Sequence, residues 1–161
     1  MTTDILVRRA QAGDMQGAGT LGGALARMHH AADPGRFFLP DDVERGYTWW
    51  FEQELARPAA VVLVALRGAQ VVGYCYGALE ERDWNLLLDQ HGVVHDLYVG
   101  ETARQLGAGG QLLDAMLREL SVLGAPRIVL HTMVRNEQAQ RLFRARGFRP
   151  TLLEMIRDGA N

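Results

Sequence analysis

The chain has 161 residues and a net charge of −2, and it is 48% hydrophobic and 22% charged, as ordinary globular proteins are. This charge excludes the global positive field that draws proteins to nucleic acid or membranes. No apolar run reaches the ~18 residues of a membrane-spanning helix, and the lone Cys75 excludes an internal disulfide. We therefore expect a cytoplasmic protein with one domain over residues 1–161 and no metal cofactor.

The first third of the chain predicts one strand followed by two helices. Residues 5–10 suit a strand, and Asp14 can cap the helix that follows. Asp41 or Asp42 can cap a second helix, which Pro58 ends. The first helix contains four glycines, each of which weakens it by up to ~1 kcal/mol relative to alanine. They stand at positions 17, 19, 22 and 23. The helix must therefore depend on packing.

The rest of the chain predicts a hairpin and then strands that alternate with helices. A glycine at position 68 separates the strands 61–66 and 71–79, and a loop leads to a central strand over residues 93–99. The later elements are a helix ended by Gly124 and Pro126, a strand over 127–134, a helix that starts at Asn136 and ends before Gly147, and a strand over 151–156. The order β-α-α-β-β-β-α-β-α-β implies an α/β fold with a mixed sheet flanked by helices.

A strand, a glycine-rich turn and a helix start follow one another between residues 94 and 113. The turn reads R-Q-L-G-A-G-G from Arg104 to Gly110. Glycines let a backbone approach a ligand closely, and the unpaired N–H groups of a helix start favour phosphate. A dinucleotide fingerprint would need a glycine where the chain has Leu112, and a nucleotide P-loop would need a lysine, which the chain lacks.

The remaining pattern, R-x-x-G-x-G after a strand that ends in D-L-Y-V, resembles the coenzyme A pyrophosphate loop of the GCN5-related N-acetyltransferases (GNAT). A second stretch, N-E-Q-A-Q-R-L-F-R-A-R-G-F from Asn136 to Phe148, resembles the N-x-x-A-x-x-L-Y-x-x-x-G-F pattern of the same family. Two motifs in the family's order are far more specific than one. The resemblance implies a mixed, mostly antiparallel sheet that is splayed at its centre and flanked by helices.

The resemblance also implies a reaction and a binding site. The reaction is the direct transfer of an acetyl group from acetyl-CoA to a primary amine of a small molecule or peptide. The strands 94–99 and 127–134 would splay apart to admit the pantetheine arm. The implied coenzyme-binding residues are Leu97, Tyr98 and Val99 for the arm, Arg104, Gln105, Leu106, Gly107, Ala108, Gly109 and Gly110 for the pyrophosphate, and Asn136 and Phe143 from the second motif.

Transfer to an amine needs a base, because a free amine is mostly protonated at pH 7. His95 is the first candidate, since it stands where some members of the resembled family carry a glutamate base, and an imidazole titrates near neutrality. Asp96 is the second candidate, as a base or as a partner for a cationic substrate. His131 on the neighbouring predicted strand is the third. The sequence leaves these three residues and water as alternatives.

One residue departs from the family pattern. Phe143 stands where the family often carries a tyrosine that protonates the departing thiolate, and a phenylalanine has no hydroxyl. Transfer could then proceed without that acid, or Tyr98 or water could replace it. The departure also leaves open a different class of function, in which the chain is a catalytically weak acyl-CoA-binding sensor or assembly module.

The acceptor amine is not identified by the sequence. Aromatic residues that could wall its pocket are Phe37, Phe38, Trp49, Trp50 and Trp84, although core packing is the more frequent role of such residues. Acidic residues that could attract a cation are Asp41, Asp42, Glu80, Glu81 and Asp83, although most acidic side chains are simply solvated. We expect an amine acceptor as the partner, rather than nucleic acid or a membrane, and the sequence also allows a homodimer.

Overall fold

The protein, described here by a computed structural model that covers residues 4–160, is built on one five-stranded sheet. In chain order the strands are Ile5–Arg9 (β1), Ala60–Arg67 (β2), Gln70–Glu80 (β3), His91–Val99 (β4) and Ile128–Leu130 (β5). The helices are Met15–Ala32 (α1), Val43–Leu55 (α2), Ala108–Val122 (α3) and Glu137–Arg144 (α4). Strands β1 to β4 pair antiparallel and β5 pairs parallel with β4, which confirms the predicted mixed, mostly antiparallel sheet flanked by helices.

Two apolar cores lie on opposite faces of this sheet. Helix α3 covers one face, and its Leu112 and Met116 are fully buried there. Helices α1 and α2 cover the other face, where Phe51 packs against Tyr74. Cys75 faces α3 and is fully buried, and this burial raises the pKa of its thiol.

The glycines of α1 allow an unusually close approach of α2. A Cβ atom added at Gly19 would overlap the hydroxyl of Thr48 and come within 2.9 Å of its backbone nitrogen. A Cβ atom added at Gly22 would lie 2.5 Å from the ring of Tyr47. The helix therefore depends on packing, as its sequence indicates, and the glycines are the reason that α2 can lie so close. Since Tyr47 lines the pocket described below, this contact also helps to form the site.

Strand β4 contains a β-bulge at His95. Tyr76 of β3 pairs with Asp96, but the next residue, Gly77, pairs with Val94, so His95 has no partner in β3. Regular alternation would place His95 and Asp96 on opposite faces of the sheet. The bulge turns both side chains to the α1/α2 face instead.

Strand β5 separates from β4 at the same point. The two strands pair at three positions, and the last of these joins Val94 to Leu130. From His95 onward, no strand of residues 4–160 pairs with β4 on the side that β5 has left. The splayed centre that the family resemblance implies is therefore present as a gap beside residues 95–99.

Two predicted strands differ from the structure. The strand predicted over residues 127–134 is limited to Ile128–Leu130, because the chain leaves β4 there. The strand predicted over residues 151–156 is absent, and residues 149–160 are exposed throughout. A strand needs a neighbour for its backbone hydrogen bonds, and residues 149–160 make none with the described chain. An ion pair between Arg36 and Glu154 links this segment to the α1–α2 connection.

The described residues lack a membrane-spanning helix and a metal-binding cluster. Within residues 4–160, no helix combines the length and the apolar character that crossing a membrane requires. The same part of the chain contains no group of three or more histidine, cysteine, aspartate or glutamate side chains placed to hold a metal ion.

Replacing Gly19 by alanine should destabilise the protein, although alanine favours helix. The added methyl group would overlap Thr48, and overpacking of this kind costs ~1–3 kcal/mol. Gly46→Ala in α2 is the matched control, because nothing lies within 4 Å of its added Cβ atom. That control should leave the free energy of unfolding unchanged or raise it by up to ~1 kcal/mol. Urea unfolding measures both, and equal midpoints would contradict the close-packing account.

Candidate active site

An open pocket of about 460 Å³ lies on the α1/α2 face of the sheet, beside the bulge. Its lining comes from α2 and the residues just after it (Tyr47, Trp50, Arg57), from β3 (Tyr76, Glu80) and from β4 (His95, Asp96). The structure therefore brings the two leading base candidates into one pocket. His131 does not join them, since it follows the end of β5, is exposed and does not line the pocket.

His95 is held on one face and at one edge of its ring. The ring stacks on Tyr76 with 5.1 Å between centroids and 20° between planes. Its Nε2 atom lies 3.5 Å from Oε1 of Glu80. The side chain is 38% exposed, so the rest of the ring is open to a ligand in the pocket. This combination of fixed orientation and access suits a proton acceptor.

Asp96 lies deeper than His95. Its carboxylate accepts a hydrogen bond of 3.0 Å from the Tyr74 hydroxyl. Burial raises the pKa of Asp96, and the Tyr74 hydrogen bond and the nearby His95 and His29 oppose this only in part. A carboxylate with a raised pKa holds a proton more strongly than an ordinary aspartate does. Asp96 is therefore also chemically able to act as a base.

Two phenols beside Asp96 stay neutral at physiological pH. Burial raises the pKa of Tyr47 to about 12, and it raises that of Tyr74 well above its ordinary value. The negative charge of Asp96 also raises the pKa of both tyrosines. These tyrosines can therefore donate hydrogen bonds in the site, but they do not supply a phenolate base.

The predicted acceptor residues divide into two groups. Trp50 and Glu80 line the pocket, and Trp50 is 43% exposed there while its neighbour Phe51 fills the core. Phe37 stacks on His29 at 4.8 Å, outside the pocket lining. The other predicted residues also do not line the pocket: Phe38, Asp41, Asp42, Trp49, Glu81, Asp83 and Trp84.

Sequence reasoning missed a buried carboxylate behind the pocket. Glu54 is only 5% exposed, accepts a 2.6 Å hydrogen bond from the Tyr76 hydroxyl and pairs with Arg57 at 3.2 Å. It continues the stripe on which α2 buries Val43 and Phe51. A carboxylate on an apolar stripe is the signal that could have identified it, because buried glutamates almost always have a partner.

The free edge of β4 presents alternate backbone groups to the gap. The N–H of Gly100 donates to the carbonyl of Val72 in β3. Because backbone groups alternate along a strand, those of Tyr98 also face β3, and those of Leu97 and Val99 face the gap. The binding of a pantetheine arm by Leu97 and Val99 stays a prediction. Tyr98 instead contributes its side chain, whose hydroxyl accepts a 3.3 Å hydrogen bond from Arg104.

Arg104 covers part of this free edge. Its Nε atom donates to the carbonyl of Val99 at 3.1 Å, and its guanidinium lies over the Tyr98 ring. Gln105 and Leu106 continue the short 3₁₀-helix Glu101–Leu106 and are exposed. The predicted pyrophosphate loop thus lies directly after the edge that would bind the pantetheine arm.

The glycine turn ends at the start of α3. Gly107 has a φ of +76°, which only glycine adopts readily, and Ala108 is the first residue of the helix. The N–H groups of Ala108, Gly109 and Gly110 therefore have no acceptor within the helix and are available to an anion. Gly110 also has a packing role, because a Cβ atom there would lie 2.6 Å from the guanidinium of Arg146.

The second motif forms the start and the inner face of α4. The Asn136 side chain accepts a 3.1 Å hydrogen bond from the N–H of Ala139 and so caps the helix. Phe143 packs against the α3 core and contacts Phe148 edge-on with 6.0 Å between ring centroids. Both predicted residues thus have structural roles, and Phe143 offers no proton donor.

The chain belongs to the Acetyltransferase (GNAT) family, whose sequence profile matches residues 25–148. It is therefore placed among acyltransferases. Among curated proteins, none matches its sequence significantly.

Solved structures share the fold over nearly the whole chain. One is a tetramutant of a Bacillus halodurans protein, with a TM-score of 0.80, 20% identity and coverage of 95% of this chain and 99% of the other. Another is the aminoglycoside N-acetyltransferase AAC(6')-Iy in complex with CoA, with a TM-score of 0.71, 17% identity and coverage of 99% of this chain and 97% of the other. A third is glucosamine-6-phosphate N-acetyltransferase from Arabidopsis thaliana, with a TM-score of 0.70, 14% identity and coverage of 96% of this chain and 98% of the other. At such identities the likeness establishes the fold alone.

Gly109→Val should weaken acetyl-CoA binding at least tenfold, or by ~1.4 kcal/mol. The branched side chain would stand beside the free N–H groups that we expect to meet phosphate. The fold should survive, because a Cβ atom at Gly109 makes only ordinary contacts, at 3.8 and 3.9 Å. Calorimetry measures the affinity, with Gly13→Val as a control at an open and distant position. Unchanged affinity in a folded Gly109→Val protein would refute the phosphate-loop assignment.

Proposed function

We propose that this protein is an N-acetyltransferase that transfers the acetyl group of acetyl-CoA directly to a primary amine of a small molecule or peptide. One observation carries the proposal: the β4 bulge turns His95 and Asp96 into a pocket at the point where β4 loses its partner strand. A thioester held along the free edge would end beside two groups that can accept a proton.

Three features of this chain support acetyl-CoA as the cosubstrate. The family is one of acetyltransferases, and the first N–H groups of α3 are free to meet a pyrophosphate. The backbone groups of Leu97 and Val99 can pair with an extended pantetheine arm as an added strand would. One of these groups would polarise the acetyl carbonyl. Arg104, which now occupies the Val99 carbonyl, must move for that pairing to form.

The reaction requires one proton acceptor and a leaving group. His95 takes a proton from the acceptor amine, with Asp96 as the alternative base. The nitrogen lone pair then forms the N–C bond, and the C–S bond breaks with its electron pair on sulfur. A thiol has a reference pKa near 8.5, so the thiolate leaves without a strong acid. The new amide nitrogen then releases its second proton, and because Phe143 cannot donate one, this proton reaches the thiolate through water or the Tyr98 hydroxyl.

The pocket favours a cationic amine. Its carboxylates are Glu80 and Asp96, with Glu54 behind them, and its lining contains one permanently charged cation, Arg57. Tyr47 and Trp50 add aromatic surface that can lie against the carbon skeleton of an acceptor. This excess of negative charge supports a protonated amine as the form that binds before His95 removes a proton.

A second candidate function is a catalytically weak acyl-CoA-binding sensor or assembly module. Phe143 is the observation that favours it, because the position lacks a proton donor for the departing thiol. The two functions differ in one product. The acetyltransferase releases coenzyme A thiol only when an acceptor amine is present, whereas the binding module retains acetyl-CoA with every amine tested.

His95→Ala should lower kcat by ~10²-fold or more while acetyl-CoA affinity stays within twofold. The rate of the wild-type protein should rise with pH through an ionisation that the variant lacks. Thiol release at a saturating amine concentration, measured across pH, tests both expectations. An identical pH profile in the variant would transfer the role of base to Asp96 or water.

The proposal extends to location and assembly. We propose a cytoplasmic protein with one domain over the whole chain, since a lone free cysteine suits a reducing compartment.

We also propose a homodimer that forms through residues 149–160. Four large apolar side chains there are 57–86% exposed: Leu152, Leu153, Met155 and Ile156. Strand β5 is a three-residue edge strand, so a second copy can provide both the apolar cover and the missing backbone partners.

Met155→Asp should convert the dimer to a monomer, because it places a charge in the middle of the proposed interface. Val122→Asp is the matched control, since Val122 is 83% exposed at the end of α3 and Met155 is 86% exposed. Sedimentation equilibrium at micromolar concentration measures the mass. A monomeric wild-type protein, or a dimer that persists in Met155→Asp, would contradict this assembly.

A further inference from the structure

Glu80 lies at the edge of the His95 ring. It is the last residue of β3, and its side chain is 31% exposed. One carboxylate oxygen lies 3.5 Å from Nε2 of His95, and the other accepts a 3.1 Å hydrogen bond from Arg57. The carboxylate thus joins the imidazole to a fixed cation.

The same imidazole is linked to Arg57 by a second route. Tyr76 stacks on the His95 ring, and its hydroxyl donates to Glu54 at 2.6 Å. Arg57 donates to that same Glu54 oxygen at 3.2 Å. The contacts therefore form a closed ring in the order His95, Tyr76, Glu54, Arg57, Glu80 and back to His95. Within this closed ring, the stacked Tyr76 limits how far the imidazole can tilt, and the contact of Glu80 with Nε2 limits how far it can rotate.

We propose that Glu80 is the positioning residue of His95, an inference that rests on the proposed acetyl transfer. By accepting the hydrogen on Nε2, Glu80 leaves Nδ1 as the nitrogen with a free lone pair. The amine proton then moves from the acceptor nitrogen to Nδ1. The amine lone pair forms the N–C bond with the acetyl carbon, and the C–S bond breaks with its electron pair on the sulfur of coenzyme A. The carboxylate of Glu80 stabilises the imidazolium that results, while Arg57 anchors the carboxylate.

Asp96 does not provide the same support, although it is the neighbour of His95 in the chain. Its carboxylate is engaged by the Tyr74 hydroxyl, and the described residues show no hydrogen bond between Asp96 and His95. The charged or titratable groups around the imidazole are thus Glu80 and Tyr76 from β3, Tyr47 and Glu54 from α2, Arg57 just after α2, and Asp96 from β4, beyond which lie Tyr74 from β3 and His29 from α1.

A double-mutant cycle tests whether Glu80 acts through His95. Glu80→Ala should lower kcat about tenfold or more with the KM for acetyl-CoA unchanged. In the His95→Ala background the same change should have less than a twofold further effect, because the group that Glu80 positions is gone. Additive losses would overturn the proposal and would indicate that Glu80 acts on the acceptor instead.

The pH dependence separates the charge of Glu80 from its shape. Glu80→Gln keeps an oxygen that can accept the Nε2 hydrogen but removes the charge that favours the imidazolium. The rising limb of the pH–rate profile should therefore move to lower pH. Glu81→Gln is the matched control, because Glu81 is exposed and lies outside the pocket lining. The proposal would be overturned if the rising limb of the pH–rate profile stayed at the same pH in Glu80→Gln, or if Glu81→Gln moved it equally.

A third measurement does not depend on turnover. Nitrogen-15 NMR of the free protein, with the His95 signals assigned from their loss in His95→Ala, reports which ring nitrogen carries the hydrogen in the neutral form. We expect Nε2–H in the wild-type protein and a mixture of both tautomers in Glu80→Ala. Identical spectra would overturn the positioning role. If the spectra change but no amine is acetylated, the positioning role stands and the proposed transfer fails.

Discussion

The β-bulge at His95 is the constraint on which the rest of the site depends. One extra residue in β4 turns two consecutive polar side chains, His95 and Asp96, to the same face of the sheet. The last pair between β4 and β5 lies just before it, at Val94 and Leu130. A bulge bends and twists its strand, so it also explains why a straight partner cannot follow β4 further. A single irregularity thus accompanies the gap and turns the side chains of His95 and Asp96 to the same face beside it.

The pocket around the bulge is stabilised by contacts that are far apart in the chain. The glycines of α1 let α2 lie close enough for Tyr47 to reach the site, and Glu54 and Arg57 connect the end of α2 to β3. Asp96, in contrast, lowers the stability of the folded protein when its carboxyl group is ionised. Because burial raises the pKa of its carboxyl, its contribution to stability is fully present below the unfolded-state pKa and is lost as pH rises through the folded-state pKa. A destabilising group at this position is typical of a functional site.

The sequence predicts well what is local and poorly what depends on a distant partner. The glycine turn, the positions of the helix starts and the first three strands follow from spacing and composition, although the Asp14 and Asp42 side chains do not cap their helices. His95 and Asp96 lie on β4, as the sequence predicts, and their catalytic role stays a prediction. The bulge could not be predicted, because the register of β4 is set by Tyr76 and Gly77 of another strand. The closed ring of contacts through Glu54 was missed for the same reason. The segment 151–156 has strand-forming residues but no neighbour, and a strand needs both.

We propose that acetyl-CoA binds along the free edge of β4 with its thioester beside His95. A crystal structure of the complex with acetyl-CoA tests this most directly. We expect backbone hydrogen bonds from Leu97 and Val99 to the pantetheine arm, a displaced Arg104, and an acetyl group that faces the pocket of His95 and Asp96. A coenzyme bound elsewhere, or an Arg104 that still occupies the Val99 carbonyl beside a bound coenzyme, would contradict it.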